Sequence, residues 1–318
     1  MTYFSMENGR YNGNSHALAL FHMTNGPKPL IYGLFGGMGR SLVFLSDAIE
    51  LGNHAVLMVE SLVLAATDWK DSIHETLTQE IQHDHGLLAP SDLINRIAYD
   101  GRLSGVMKSG QGFHGICHVW SNQGAKAAIQ EYVHRLDCRD LTSVLKKLSD
   151  LSVLLCCATH KAGNPAFDYY LGHLPTLVNS IRILLGQFVE HRHRVTLVRG
   201  LWLLMILLYI TQLRPVLDKS LLRTSGGLPG DEVAAWYQIL VGFHDHRGFQ
   251  SEDHGEGNGR WCTDMQLLRL LRSLWELGKA FDGKGTQLYI RAAWKLHLEW
   301  RGWTGLGADG EDVLNIRL

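Results

Sequence analysis

The stretch FDYYLGHLPTLVNSIRIL, Phe167 to Leu184, reads as one amphipathic helix. Phe167, Tyr170, Leu171, Leu174, Val178 and Ile181 recur at steps of three and four and form its apolar stripe. Asn164 can cap this helix, and Pro165 suits its first turn, where no intrahelical N–H is needed. Pro175 lies inside the segment and cannot donate to the carbonyl of Leu171, which predicts a kink. His173 sits beside that kink, on the polar margin of the stripe with Tyr169, Thr176 and Ser180, where a cavity-lining residue belongs.

Working outward, the helical period repeats along the chain. It runs over His16–Met23, Ser41–Ile49, Val56–Ala66, Ser91–Tyr99, Gly124–Leu136 and Leu141–Cys157. It resumes over Val195–Leu213, Glu232–Val241, Met265–Leu277 and Leu288–Trp300. Few segments alternate with period two. TSGGLPG (Thr224–Gly230) breaks the pattern, and the polar, glycine-rich DHRGFQSEDHGEGNGR (Asp245–Arg260) reads as a long loop or lid. The expectation is an all-α fold: one large multi-helix domain over residues 1–318, with a central cavity between helices. The most apolar run, Gly200–Leu213, is 14 residues long. A membrane span needs roughly 20, so a buried core helix is the better reading and no membrane span is expected.

Composition narrows the class of function. The 318 residues are 46% apolar and 19% charged, with 30 basic against 31 acidic side chains. That balance leaves no basic footprint for nucleic acid. The five cysteines form no CxxC pair, and the N-terminus lacks the basic-then-apolar pattern of a secretory signal. Both point to free thiols in a reducing, cytoplasmic setting.

Two features suggest chemistry. PLIYGLFGGMGRSLVFLSDAIELG (Pro29–Gly52) has the outline of a strand, a glycine turn and a helix, with Glu50 placed for a ribose. Its glycines, Gly33, Gly36, Gly37 and Gly39, are spaced GxxGGxG rather than GxGxxG, and no alternation of strands and helices follows. The favoured reading is close approach of a helix to a neighbour, with a dinucleotide site as the weaker alternative. The second feature is the number of histidines, 17 in all. His83, His85, His191, His193, His244 and His246 fall in polar stretches, where solvation is the ordinary state. His16, His54, His173 and His297 fall on predicted helices among apolar neighbours, as ligands built into a helical core do.

NPAFDYYLGHLPTLVNSIRIL (Asn164–Leu184), with the later helix ending LLYITQLRP (Leu207–Pro215), resembles the questin oxidase-like family. SLVFLSDAIELGNHAVLMVESLVLAATDW (Ser41–Trp69) is similar to the family's helix pair, and HALALF at His16 to its N-terminal histidine-bearing helix. LLRLLRSL and TQLYIRAAWKL resemble its two C-terminal helices, so the likeness spans about Ser15 to Trp303. The resemblance implies an all-helical oxidase of fungal secondary metabolism acting on a polycyclic aromatic polyketide. The reaction it implies is Baeyer–Villiger-type or ring-cleaving oxygenation, with NADPH as co-substrate or a non-haem iron. His16 and His173 match family metal ligands, and Glu50 would orient one of them.

The chain departs from the family elsewhere. Arg40 and Phe44 stand where the family has histidines, and Gln266 and Arg269 where it has a histidine and a lysine that is carboxylated to hold iron. A guanidinium cannot replace that lysine. His244, His246 or His254 would have to supply new ligands. Otherwise the metal site is lost, which is the favoured reading. Arg40, Gln266 and Arg269 are then candidates for binding an acidic aromatic substrate. The alternative function is a non-catalytic accessory or binding homologue on the same fold.

Overall fold

The computed structural model describes residues 15–52, 54–79, 86–188, 190–222, 227–244, 264–282 and 287–305. These residues are mainly helical with almost no strand, as the periodicity requires. The first half of the chain forms α1 (Ser15–Thr24), α2 (Arg40–Glu50), α3 (Ala55–Thr67), α4 (Asp71–Thr78), α5 (Pro90–Tyr99), α6 (Ile116–Ser121), α7 (Gln123–His134) and α8 (Leu141–Cys157). The second half forms α9 (Tyr169–Leu185), α10 (His191–Thr211), α11 (Glu232–His244), α12 (Met265–Phe281) and α13 (Leu288–Glu299). A two-residue strand β1 (Phe167–Asp168) pairs in parallel with β2 (Trp303–Thr304). The all-α class read from the sequence holds.

Two compact units share these helices. The first comprises Met1–Ile94, Gln123–Leu145 and Leu177–Ile206; the second comprises Asn95–Asn122, Lys146–Thr176 and Leu207–Leu318.

In the first unit, α2 and α3 cross at a pair of small residues. Ser41 Oγ donates to the Ser61 carbonyl at 2.8 Å, and Ser61 Oγ donates back to the Ser41 carbonyl at 2.9 Å. Both serines are fully buried, so each hydroxyl must find an internal acceptor, and the reciprocal pair supplies it. Trp202 of α10 is also fully buried, and its indole N–H donates to the Tyr132 carbonyl of α7 at 2.9 Å. Trp202→Ala removes that ring and its hydrogen bond to the Tyr132 carbonyl. We expect chemical denaturation to show a loss of about 4 kcal/mol, the usual range for a buried large aromatic.

The run Gly200–Leu213 is the buried second half of α10, where Trp202 through Ile210 are each at most 2% exposed. By length and composition α10 alone among the described helices could cross a bilayer, and most of it lies in the protein core.

In the second unit, Tyr289 of α13 donates to Ser149 Oγ at 2.8 Å and to Asp150 Oδ1 at 2.9 Å on α8. Burial pushes the phenol pKa far up, so this hydroxyl stays a donor. At the end of α10, Leu213 and Arg214 both take positive φ. That costly turn is held by Arg214, whose guanidinium donates to the carbonyls of Ile97 and Asp100 at 3.2 and 3.1 Å. It closes α5 and α10 together within this unit.

One boundary differs from the sequence reading. The helix expected from Phe167 begins at Tyr169, because Phe167 and Asp168 are extended against Trp303 and Thr304. Thr304 Oγ1 donates to the Phe167 carbonyl at 3.2 Å, and Asp168 rather than Asn164 caps the helix. Asn164 instead closes a turn onto the Lys161 carbonyl.

Candidate functional site

His173 lies in the first turn and a half of α9, in the second unit, and is half-buried. Two contacts fix this turn beside α12. Trp303 packs against Gly172, where any Cβ would collide with the indole ring, so only glycine fits at this position. The same indole N–H donates to Asp264 Oδ2 at 3.0 Å, while Asp264 Oδ1 caps α12 by accepting the Leu267 N–H at 2.7 Å. One turn further on, Ser273 Oγ of α12 donates to Thr176 Oγ1 of α9 at 3.4 Å. These contacts bring the start of α9 to α12.

Gln266 and Arg269 share the face of α12 that carries Ser273, since they stand seven and four residues before it in helical register. His173 shares the face of α9 that carries Thr176. Gln266 is half-buried, and its Nε2 is inaccessible to solvent with no hydrogen-bond partner among the described residues. An amide in that state is a donor waiting for an acceptor. Arg269 is half-buried on the next turn, and its backbone carbonyl accepts Ser273 Oγ at 2.7 Å. The two helix faces carry an imidazole on α9 and an amide and a guanidinium on α12, groups suited to oxygen-rich, acidic ligands.

Just before α9 lies a buried carboxyl that sequence reasoning took for part of an ordinary helix start. Asp168 is 1% exposed. Its Oδ1 accepts the Leu171 N–H at 2.8 Å. The side-chain amide of Gln212, with its nitrogen turned this way, donates to Asp168 Oδ2 at 2.9 Å and to the Gly305 carbonyl at 3.2 Å. Burial pushes the Asp168 carboxyl up to about 7, against the opposing pull of the Leu171 and Tyr170 N–H groups. A cavity of about 10 Å³, the room of roughly one water, is lined by Lys108, Gly110, Gly112, Thr211, Gln212, Leu213 and Gly305. The signal available in the sequence was an aspartate flanked by Phe167 and two tyrosines. Nothing in the sequence connects it with Gln212.

Of the other predicted residues, His16, Arg40 and Glu50 lie in the first unit. His16 is on α1, and its side chain is outside the described residues. Arg40 opens α2, where it is 56% exposed and pairs with Asp68 at 3.3 Å. Glu50 closes α2 in an exposed position. His246 and His254, the whole of Asp245–Arg260 and the side chain of His244 also fall outside the described residues. Among the described residues, no three His, Cys, Asp or Glu side chains come close enough to hold a metal ion. The described donors therefore do not fit an iron site by themselves, and no step is assigned to iron.

The glycine stretch is a packing device. Residues 30–32 form a turn, and Gly33–Phe35 and Gly37–Gly39 are 3-10 turns, so the strand required by a dinucleotide loop is missing there. A Cβ on Gly33 would overlap the Ala65 carbonyl, and one on Gly36 the Asp68 carbonyl, both at the end of α3. The weaker, dinucleotide reading of this stretch is corrected: its backbone is already occupied by α3. A polar cleft of about 520 Å³ lies between α4 and α7, walled by Glu75, Thr78, Gln79, Gln123, Lys126 and Gln130. None of the predicted site residues lines it.

The sequence model of the family described as Questin oxidase-like matches residues 1–274. No curated protein matches the chain.

Proposed function

We propose that this chain, which belongs to the questin oxidase-like family, oxidises a polycyclic aromatic polyketide of the anthraquinone type. Membership assigns it to an oxidoreductase family; substrate and reaction are our reading. What supports it is the contact between α9 and α12, made by Ser273 with Thr176 and by the Trp303 clasp; by helical register His173 shares a face with Thr176, and Gln266 and Arg269 share one with Ser273. Arg269 offers a fixed cation to a phenolate or carboxylate. Gln266 offers its unpaired amide N–H to a quinone carbonyl, which polarises that carbonyl toward attack. His173 holds or moves a proton at the reacting oxygen.

Baeyer–Villiger insertion converts ketone, dioxygen, NADPH and a proton into ester, NADP⁺ and water. NADPH is accordingly the proposed co-substrate, and no residue of this chain is assigned to hold it. The setting would be secondary-metabolite biosynthesis in the cytoplasm, without nucleic acid or a membrane span. A non-haem iron is left to metal analysis, with His16 of the first unit and His173 of the second each a separate ligand candidate by resemblance. Iron bound in stoichiometric amount supports it, and full turnover by metal-free protein removes it.

The reading is tested by incubating the full chain with a hydroxylated anthraquinone, NADPH and isotopically labelled dioxygen. Mass spectrometry should show labelled oxygen in the product. Arg269→Ala should raise KM roughly tenfold or more, the effect of losing a charged hydrogen bond, with a smaller change in kcat. Tight binding of the quinone with no oxygen uptake would favour the second reading, a non-catalytic homologue. The incomplete set of described metal donors is what favours that alternative.

A further inference from the structure

We propose that Asp168, Gln212 and Gly305 form a proton-linked clamp on the first turn of α9, so that the protonation of Asp168 governs how firmly His173 is held. Pro175 supplies no N–H, so the carbonyl of Leu171 lacks its helical partner and the turn carrying His173 is weakly tied to the rest of α9. Its anchors include the Asp168 carboxyl on the Leu171 N–H, the strand pair with Trp303–Thr304, and the indole of Trp303 on Gly172. Gly305 sits at φ +82°, in the left-handed region, and a Cβ there would overlap the Asp168 carboxylate. Nothing but glycine lets the chain pass this close, and its carbonyl shares the Gln212 amide with Asp168.

The clamp is therefore three elements closed on one carboxyl: the start of α9, the end of α10 and the residue after β2. The small cavity touching Gln212 and Gly305 gives water access to the cluster. The titratable groups facing Asp168 are Cys156 of α8 and Tyr170 of α9, both neutral near pH 7, with Lys108 at the cavity wall. Among the described residues, ionised Asp168 is a buried charge with no ion-pair partner. Opening the turn to water relieves it, so ionisation loosens the clamp. The sign follows from burial: the carboxyl titrates near 7 when closed and near 4 when open, so opening grows with pH across that window and levels off above it.

The significance for catalysis rests on the role given to His173 above; the clamp is tested separately from it. Hydrogen exchange of the amides of residues 169–174 is followed in the full chain from pH 5 to 9, corrected for the intrinsic chemical rate. We expect local opening to rise up to about tenfold per pH unit below pH 7 and then to flatten. Asp168→Asn keeps an acceptor for the Leu171 N–H and should abolish the slope. The infrared carbonyl band of a protonated carboxylic acid should fade in the wild type with a midpoint near 7, a measurement that needs no variant. If the chain oxidises a quinone, the loss of kcat that the clamp imposes as pH rises from about 4 to about 7 should vanish in Asp168→Asn. An exchange rate independent of pH in the wild type, or the same slope in Asp168→Asn, overturns the clamp. A chain that never consumes oxygen overturns the proposed activity and leaves the exchange result standing.

Discussion

Gly36→Ala and Gly33→Ala should each destabilise the protein by about 3 kcal/mol or more, the upper part of the range for overpacking a tight contact. For a chain of this size that is a fall of roughly 6–12 °C in melting temperature. Gly36 has φ −72° and ψ 167°, a conformation that alanine adopts freely. Backbone strain thus contributes nothing, and the whole effect is the collision of Cβ with the Asp68 carbonyl, or with the Ala65 carbonyl in the case of Gly33. Main-chain carbonyls at the end of α3 cannot rotate aside as a side chain would. Gly86, whose Cβ position faces open space, is the control, and Gly86→Ala should melt with the wild type. Unchanged melting of Gly36→Ala would mean that the turn does not rest on α3, and would reopen the stretch as a ligand loop.

The second large effect is a pH dependence of global stability carried by Asp168. Its carboxyl titrates at about 7 in the folded protein against 3.8 in the free group, so the native state binds the extra proton. Stability therefore falls as pH rises from about 4 to about 7, by about 4 kcal/mol if the full shift is expressed. Below pH 4 both states are protonated, and above pH 7 both are ionised, so the curve is flat at either end. Asp168→Asn should remove this slope and be more stable than the wild type at pH 8. Asp168→Ala should be less stable than Asp168→Asn at every pH, because it orphans the Leu171 N–H and the Gln212 amide. Denaturant titrations at pH 5 and pH 8 measure the difference. Equal wild-type values at the two pH values would show that the acid is not buried as described.

The helices were legible because each must bury a stripe, and steps of three and four show that stripe directly. Leu141–Cys157 was read to the residue. α4 and α6 were missed because, at 8 and 6 residues, they are too short for the period to repeat. The start of α9 was misplaced because Phe167 and Asp168 continue the helical pattern in sequence, while their partners, Trp303 and Thr304, stand more than a hundred residues away. The same distance in sequence hid the candidate site's anchors. His173, Gln266 and Arg269 were found through local pattern and resemblance. The Trp303 clasp, the Gln212 amide and Gly305 act only through contacts that the fold creates. Asp168 illustrates the limit: its neighbours in sequence suggest a cap, and only burial turns it into an acid titrating near neutrality.

The central claim is that the α9–α12 face around His173 oxidises an aromatic quinone. Oxygen uptake by the purified full chain, with a hydroxylated anthraquinone and NADPH, tests it most directly when wild type and His173→Ala are compared at matched circular dichroism. The account predicts quinone-dependent uptake in the wild type and a loss of about a hundredfold or more in His173→Ala, the scale of removing a group that transfers a proton in the rate-limiting step. Quinone-dependent uptake that is undiminished in a folded His173→Ala protein would contradict it.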